Sequence, residues 1–336
     1  NNKLINSTSI ALPTSEPVLV YEKFGENPKT IQSAPEFVDG SIIFQPRFDT
    51  IHSLSLRGKV NWEYKSTGQI SQRGFRVFKL NRTKRIVFGE GRTVVCLFAS
   101  NGKKCSDFGA NGVIKVSGRV VTRPEVVGSD VFVTTDRGTF EKISIDKSFF
   151  NHKVAFLVPG GSLARLLSSY SGGRNWGGFA IDTEKKIAVI STSNPAPSLV
   201  GDQREGSNGY SSALVVYDIS NMQVRCQFQD VIHDVWDLDI AMPPVLISKI
   251  QEPSVNLAFA VGKSGNVIMI NTEDCSNVRT WRYAKAPPSD RDSERLSSIQ
   301  PMLDFPDNLT GNMNTAVFDA DSEPKWDFYI PPSTSY

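Results

Sequence analysis

From position 30 onward the chain is written in short runs of β-branched, aliphatic and aromatic residues separated by Gly, Asn, Asp and Ser. Runs of this kind read as strands, and the Gly-containing breaks between them read as hairpin turns. A first group predicts strands over 41–44, 51–56 and 60–64, with Val38-Asp39-Gly40 and Arg57-Gly58-Lys59 as turns. A second predicts strands over 86–88, 93–98 and 113–116 around the turn Asn101-Gly102. A third covers 125–127, 131–133, 140–143 and 154–157, with Gly128-Ser129 as a turn. A fourth covers 178–180, 187–190, 213–217 and 224–228, and a fifth 244–246, 258–260, 267–270 and 280–283.

The corresponding residues Ile43, Val87 and Val131 are spaced at 44 and 44 residues. A sheet unit of about 45 residues cannot bury both of its faces alone, so it must stack on its neighbours. Radial stacking gives an all-β fold, a β-propeller of four-stranded antiparallel blades. Five units are legible, and a partial sixth is expected over 316–329, after a long loop over 287–314. The expectation is a single propeller domain over 1–336, of about five to six blades and incomplete at its C-terminus. The fourth and fifth units carry the longer insertions, and insertions on a regular scaffold are where binding loops lie.

Composition narrows the function. Thirty-nine per cent hydrophobic residues exclude wholesale disorder, and 37 basic against 35 acidic residues leave +2, no electrostatic footprint for nucleic acid. No apolar run approaches the roughly 20 residues that span a bilayer, and Asn1-Asn2-Lys3-Leu4-Ile5-Asn6 does not read as a signal peptide. The four cysteines, Cys96, Cys105, Cys226 and Cys275, lack C-x-x-C spacing. They are read as small apolar core residues, with one disulfide as the alternative in an oxidising compartment.

Three clusters rise above the strand background. Asn175-Trp176-Gly177-Gly178 precedes Ser191-Thr192-Ser193-Asn194-Pro195, so a Trp and an Asn flank one hairpin. An indole beside two glycines is, taken alone, more often packing than a platform. His233-Asp234-Val235-Trp236-Asp237-Leu238-Asp239 puts three carboxylates and an imidazole into seven residues. Such density needs solvent, hydrogen bonds or a cation, because burying unpaired charge is costly. Gly262-Lys263-Ser264-Gly265-Asn266 is, by itself, a hairpin turn.

Together these segments resemble the quinoprotein alcohol and glucose dehydrogenases, eight-bladed propellers that hold pyrroloquinoline quinone and a metal. The likeness is nearest to the membrane-type glucose dehydrogenase branch and runs over about 30–283. Besides the three clusters it rests on Thr30-Ile31-Gln32-Ser33-Ala34-Pro35, Gln72-Arg73-Gly74, the run from Cys105-Ser106-Asp107 to Gly112-Val113, and Tyr210-Ser211-Ser212-Ala213-Leu214. The resemblance implies that Trp176 stacks under the quinone and that Lys263, Arg73 and Gln32 contact its oxygens or acidic edges. It implies Asp237 as the general base, and Asn194, Asp237 and Asp239 as oxygen donors to Ca2+ or a lanthanide that polarises the quinone carbonyl.

The implied reaction is oxidation of an alcohol or sugar hydroxyl by hydride transfer to the quinone, with a quinone or cytochrome as electron acceptor, in the periplasm or outside the cell. A further chain completing the propeller is an implied partner. The chain also departs from the family: the segment Val133-Thr134-Thr135-Asp136-Arg137-Gly138 is short and brings no glutamate. That departure, with the missing final blades, motivates the alternative of a non-catalytic quinoprotein-like propeller acting as a binding or assembly module.

Overall fold

In a computed structural model, residues 31–145, 151–157, 171–197, 201, 204, 206–249 and 252–282 are described. Five four-stranded antiparallel sheets follow one another along the chain, and no helix occurs among the described residues. The first sheet holds β1 (Glu36–Val38), β2 (Ser41–Arg47), β3 (Thr50–Ser55) and β4 (Val60–Lys65) in sequential order. The second holds β5 (Ile70–Leu80), β6 (Thr83–Glu90), β7 (Thr93–Phe98) and β8 (Val113–Lys115). The third holds β9 (Glu125–Val127), β10 (Asp130–Thr134), β11 (Thr139–Ser144) and β12 (Asn151–Phe156).

A short ribbon of β13 (Ser171–Gly172) with β16 (Pro195–Ala196) sits beside the fourth sheet. That sheet comprises β14 (Phe179–Asp182), β15 (Ile187–Ser191), β17 (Ala213–Asp218) and β18 (Gln223–Gln229). The fifth comprises β19 (Val245–Lys249), β20 (Glu252–Val261), β21 (Asn266–Asn271) and β22 (Asn277–Arg282). The expected all-β propeller of four-stranded antiparallel blades is therefore present, as five blades among the described residues. The long loop over 287–314 and the partial sixth unit over 316–329 lie outside the described residues.

The continuous apolar runs in the middle strands have a direct cause. Successive side chains of a strand point to opposite faces, and here both faces are covered. In β6, Ile86 and Phe88 pack toward the first blade while Val87 packs toward the third. In β17, Ala213, Val215 and Tyr217 face the third blade and Leu214 and Val216 face the fifth. Each interior blade is thus clamped between two neighbours, and the core is a series of layers rather than one centre. The first strands of adjacent blades, β5 with β9 and β14 with β19, approach one another. They form the inner side of the arc, where loops from different blades meet.

The cysteines correct the sequence reading. Cys96 in β7 is bonded to Cys105, with Cα atoms 5.5 Å apart, and Cys226 in β18 is bonded to Cys275, at 5.6 Å. All four cysteines are paired. The first bond staples a turn inside the second blade. The second ties the fourth blade to the turn after β21, joining positions 49 residues apart. Apolar burial was the right environment, but geometry inside the usual Cα range makes these bonds rather than thiols, and two such bonds fit an extracytoplasmic location.

Candidate functional site

Four segments from four parts of the chain converge on the inner side. Arg73 comes from β5, where pairing with β6 shifts register between Ile70 and Phe75, so that residues 71–74 leave the ladder. Gly74 permits this at φ +91°, and a Cβ there would stand 2.3 Å from Ser33 Oγ. Trp176 comes from the segment between β13 and β14, and a Cβ on the next residue, Gly177, would stand 2.5 Å from the Ala241 carbonyl oxygen. The two glycines let the Arg73 and Trp176 segments run against neighbouring backbone at a distance no side chain would tolerate.

Asp237 and Asp239 come from the loop between β18 and β19. Asp234 shapes that loop: its carboxylate accepts the backbone N–H of Trp236 and of Leu238, each at 2.9 Å, and the Ser212 hydroxyl at 2.7 Å. An Asp that binds the N–H groups following it builds a compact turn without outside help. Asp237 itself takes a left-handed φ of +60°. His233 turns away from the site, its Nδ1 2.7 Å from the Gly206 carbonyl oxygen. Of the ionisable residues in the His-Asp-x-Trp-Asp-x-Asp run, only Asp237 and Asp239 reach the site.

Lys263 comes from the β20–β21 turn. Asp230 holds this turn, accepting from the Ser264 hydroxyl at 2.5 Å and from the Asn266 amide at 2.8 Å. The backbone N–H of Lys263 donates to the Asp239 carbonyl at 3.0 Å. Its side chain then folds back on the same loop, placing Nζ 3.0 Å from Asp237 Oδ2 and 2.8 Å from Asp239 Oδ1.

These parts surround Trp176. Its Nε1 donates to Asp239 Oδ2 at 2.8 Å. The guanidinium of Arg73 stands 4.8 Å from the indole centroid and the ammonium of Lys263 5.4 Å from it, both within cation–π range. The Nε of Arg73 is buried and has no hydrogen-bond partner among the described residues. A recess of about 190 Å³ opens beside the ring, walled by Phe48, Ile70, Gln72, Arg73, Val120 and Trp176.

Burial governs the charges. Asp239, 1% exposed, is pushed up to about 6 by desolvation, against the pull of Lys263 and the Trp176 N–H, and the neighbouring Asp237 adds to the rise. Burial would lower Lys263, but the carboxylates of Asp239 and Asp237 more than offset it and its pKa is raised. Arg73 is lowered by burial, with Asp239 opposing.

Trp176, Arg73, Lys263, Asp237 and Asp239 are thus brought together. Gln32 is exposed and reaches the site through its backbone, its N–H donating to the Gln72 carbonyl at 3.0 Å. Asn194 lies next to β16 with its amide Nδ2 3.2 Å from the Pro195 carbonyl oxygen. Glu141, beyond the short 133–138 segment, is committed elsewhere, its carboxylate 2.7 Å from His152 Nε2 and taking the Thr139 hydroxyl at 2.7 Å. The sequence reading missed the supports: Asp234 with Ser212, and Asp230 with the lysine turn. The signal for the first was present, an Asp followed at the second and fourth positions by buried residues that need their N–H groups bound.

An indole with two cations over its ring, an unpartnered guanidine N–H and an adjoining recess fit a planar anion. The same residues do not fit a hard metal ion. No group of three or more His, Cys, Asp or Glu side chains able to hold one occurs among the described residues, and such ions ask for six or more oxygens.

The family model described as PQQ glucose/ethanol/alcohol dehydrogenase, β-propeller domain, matches residues 164–327. Quinoprotein glucose dehydrogenase A of Acinetobacter calcoaceticus is 23% identical over 270 residues, which cover 68% of this chain and 32% of that relative. Quinoprotein glucose dehydrogenase of Escherichia coli (strain K12) is 19% identical over 260 residues, covering 69% of this chain and 32% of the relative. The chain spans about a third of the length of the curated relatives it matches. Among solved structures, quinohemoprotein alcohol dehydrogenase from Comamonas testosteroni superposes with a TM-score of 0.60 at 16% identity, over 76% of this chain and 43% of that one. Sequence and fold agree, and the chain is a relative of the pyrroloquinoline-quinone-dependent quinoprotein dehydrogenases, built on their β-propeller.

Proposed function

We propose that this chain binds pyrroloquinoline quinone and oxidises an alcohol or sugar hydroxyl in the periplasm or outside the cell. The observation that carries the reading is the pinned indole: Trp176 is tethered by Nε1 to Asp239, with the cations of Arg73 and Lys263 over its ring. When bound, the quinone supplies a two-electron hydride acceptor.

The chain's own residues would do the rest. Trp176 offers a face fixed in tilt by its tether, suited to stacking a flat ring. Arg73, whose Nε lacks a partner among the described residues, would bind a carboxylate of the ligand, and Lys263 a ring oxygen. Gln32 would add a contact from the segment alongside Gln72. Phe48, Ile70 and Val120 would line the recess beside the ring together with the polar Gln72 and Arg119. Asp237, more open than Asp239, would take the substrate hydroxyl proton at Oδ1 while Lys263 holds Oδ2. Asn194, Asp237 and Asp239 would be the oxygen donors if Ca2+ or a lanthanide entered, but they do not complete its shell, and no step is routed through a metal. Electrons would leave to a quinone or cytochrome, and a further chain would complete the ring.

The ion pair that occupies Asp237 favours a second reading, a non-catalytic propeller acting as a binding or assembly module. Reconstitution with the quinone followed by dye reduction across an alcohol and sugar panel separates them. The enzyme reading expects turnover that is lost in Asp237→Asn and quinone binding that is lost in Trp176→Ala. No quinone binding and no turnover on any substrate would leave the module, whereas quinone binding without turnover would sink the enzyme reading alone.

A further inference from the structure

The residues around Trp176 contain an arrangement that the quinone reading alone does not require. Asp237 and Asp239 lie one residue apart on a single loop, and one cation sits between them. That cation is covalent: Lys263 Nζ stands 3.0 Å from one carboxylate and 2.8 Å from the other. The geometry points to Lys263 as the built-in counter-ion of this site, occupying the place between Asp237 and Asp239 that a hard metal would need, so that the site takes its planar anion without a metal. The inference rests on the proposed quinone site only for the identity of that anion.

Three features support it. First, the ammonium is placed by structure rather than by the reach of a flexible chain. The lysine backbone N–H is bonded to the Asp239 carbonyl at 3.0 Å, and its turn is fixed by Asp230 through Ser264 and Asn266. Second, three of the four carboxylate oxygens are engaged, Asp239 Oδ1 and Asp237 Oδ2 by ion pairing with Lys263 and Asp239 Oδ2 by the Trp176 N–H at 2.8 Å, which leaves Asp237 Oδ1. A metal would have to displace both donors and then hold an ammonium within a few ångströms, where like charges repel strongly in a half-buried setting. Third, charge is already balanced, with two carboxylates against Lys263 and the nearby Arg73. In the third blade Glu141 is bonded to His152 and Thr139, and no group of three or more metal-ligating side chains occurs among the described residues.

Terbium is a suitable probe, because it binds hard-oxygen sites and its emission is sensitised by an adjacent indole. Titration of the full chain with Tb3+ is expected to give no saturable sensitised emission at equimolar metal, whereas Lys263→Met, which keeps the apolar stem but frees both carboxylates, is expected to gain it. The gained emission should disappear in Lys263→Met with Asp239→Asn. Saturable emission from the wild-type chain that is lost in a folded Asp239→Asn chain would overturn the inference. So would a folded Lys263→Met chain, by circular dichroism, that gains nothing. A second arm measures quenching of Trp176 fluorescence by pyrroloquinoline quinone, with Trp176→Phe as the control, in EDTA and in millimolar Ca2+. Equal affinities support the inference, and affinity that rises tenfold or more with Ca2+ overturns it. Failure of the quinone to bind under either condition would count against the proposed function, while the terbium arm would still decide the role of Lys263.

Discussion

The indole N–H of Trp176 and the ammonium of Lys263 grip opposite oxygens of one buried carboxylate, that of Asp239, each at 2.8 Å. The ring, the cation and the acid are therefore one mechanical unit: none can move without releasing another. Because a buried acceptor stripped of a donor costs more than the bond itself contributes, disturbance at any of the three should appear in stability as well as in binding.

Trp176→Phe tests this coupling with the aromatic face retained. The substitution removes the donor to Asp239 together with part of the ring, and it should lower unfolding free energy by about 1–3 kcal/mol. Chemical denaturation read by far-UV circular dichroism measures the loss. Binding of a flat anion should weaken far less in this variant than in Trp176→Ala, which removes the face. Equal stability of wild type and Trp176→Phe would show that the bond contributes nothing.

The charge state of the site should depend on pH through Asp239. Its pKa is pushed up to about 6 in the folded chain, above the ordinary carboxylate value near 3.9. A carboxyl raised on folding contributes stability that is fully present below its unfolded value and lost as pH rises through the folded one. The same proton sets ligand affinity: as pH falls from 7 to 5 Asp239 becomes neutral and the net charge beside Trp176 rises by one. A polyanionic planar ligand should then bind more tightly, by about three- to tenfold for one charge a few ångströms away. Fluorescence titrations at both ends of the range should show this gain in wild type and its loss in Asp239→Asn. Weaker binding at the lower pH would contradict the assignment.

Much of the scaffold was legible because each interior blade is covered on both faces, so its middle strands spell out uninterrupted apolar runs such as Ile86-Val87-Phe88 and Ala213-Leu214-Val215-Val216. What escaped has identifiable causes. β5 was not expected, because residues 71–74 leave the ladder there and break the alternation that marks a strand. β1 is three residues long, too short for any period to declare itself. The disulfides escaped because pairing depends on how turns and blades fold back, which spacing alone does not encode; Cys226 and Cys275 meet only once two blades stack. The resemblance named Trp176, Arg73, Lys263, Asp237 and Asp239, and these do meet. The direction of each side chain in the His233–Asp239 run was not legible: His233 turns to the Gly206 carbonyl and Asp234 holds the loop from within.

Asp234 should matter to the site without touching a ligand. It is fully buried, and its two oxygens collect the N–H groups of Trp236 and Leu238 and the hydroxyl of Ser212. Replacing it with Ala strands those donors and releases the loop that aims Asp237 and Asp239. A loss of about 2–4 kcal/mol is expected, together with a changed near-UV circular dichroism signal, since Trp236 lies in the same turn. Asp234→Asn keeps one acceptor oxygen and should fall between the two. An Asp234→Ala chain as stable as wild type would show that the turn is held by its packing alone.

The two disulfides should contribute unequally, in the order of the loops they close. Cys226 and Cys275 are separated by 49 residues, Cys96 and Cys105 by 9. A cross-link restricts the unfolded chain more as the loop lengthens, which gives about 4 kcal/mol for the longer bond and about 3 kcal/mol for the shorter. The longer bond also joins two blades, whereas the shorter lies within one. Urea unfolding of Cys226→Ala with Cys275→Ala, set beside Cys96→Ala with Cys105→Ala, separates these contributions. The first pair should lose more stability, and the fourth and fifth blades should show the earlier hydrogen exchange, because the bond between them is what the substitution removes. If the second pair proves the costlier, packing of Cys96 and Cys105 in the second blade, where both are fully buried, outweighs loop closure.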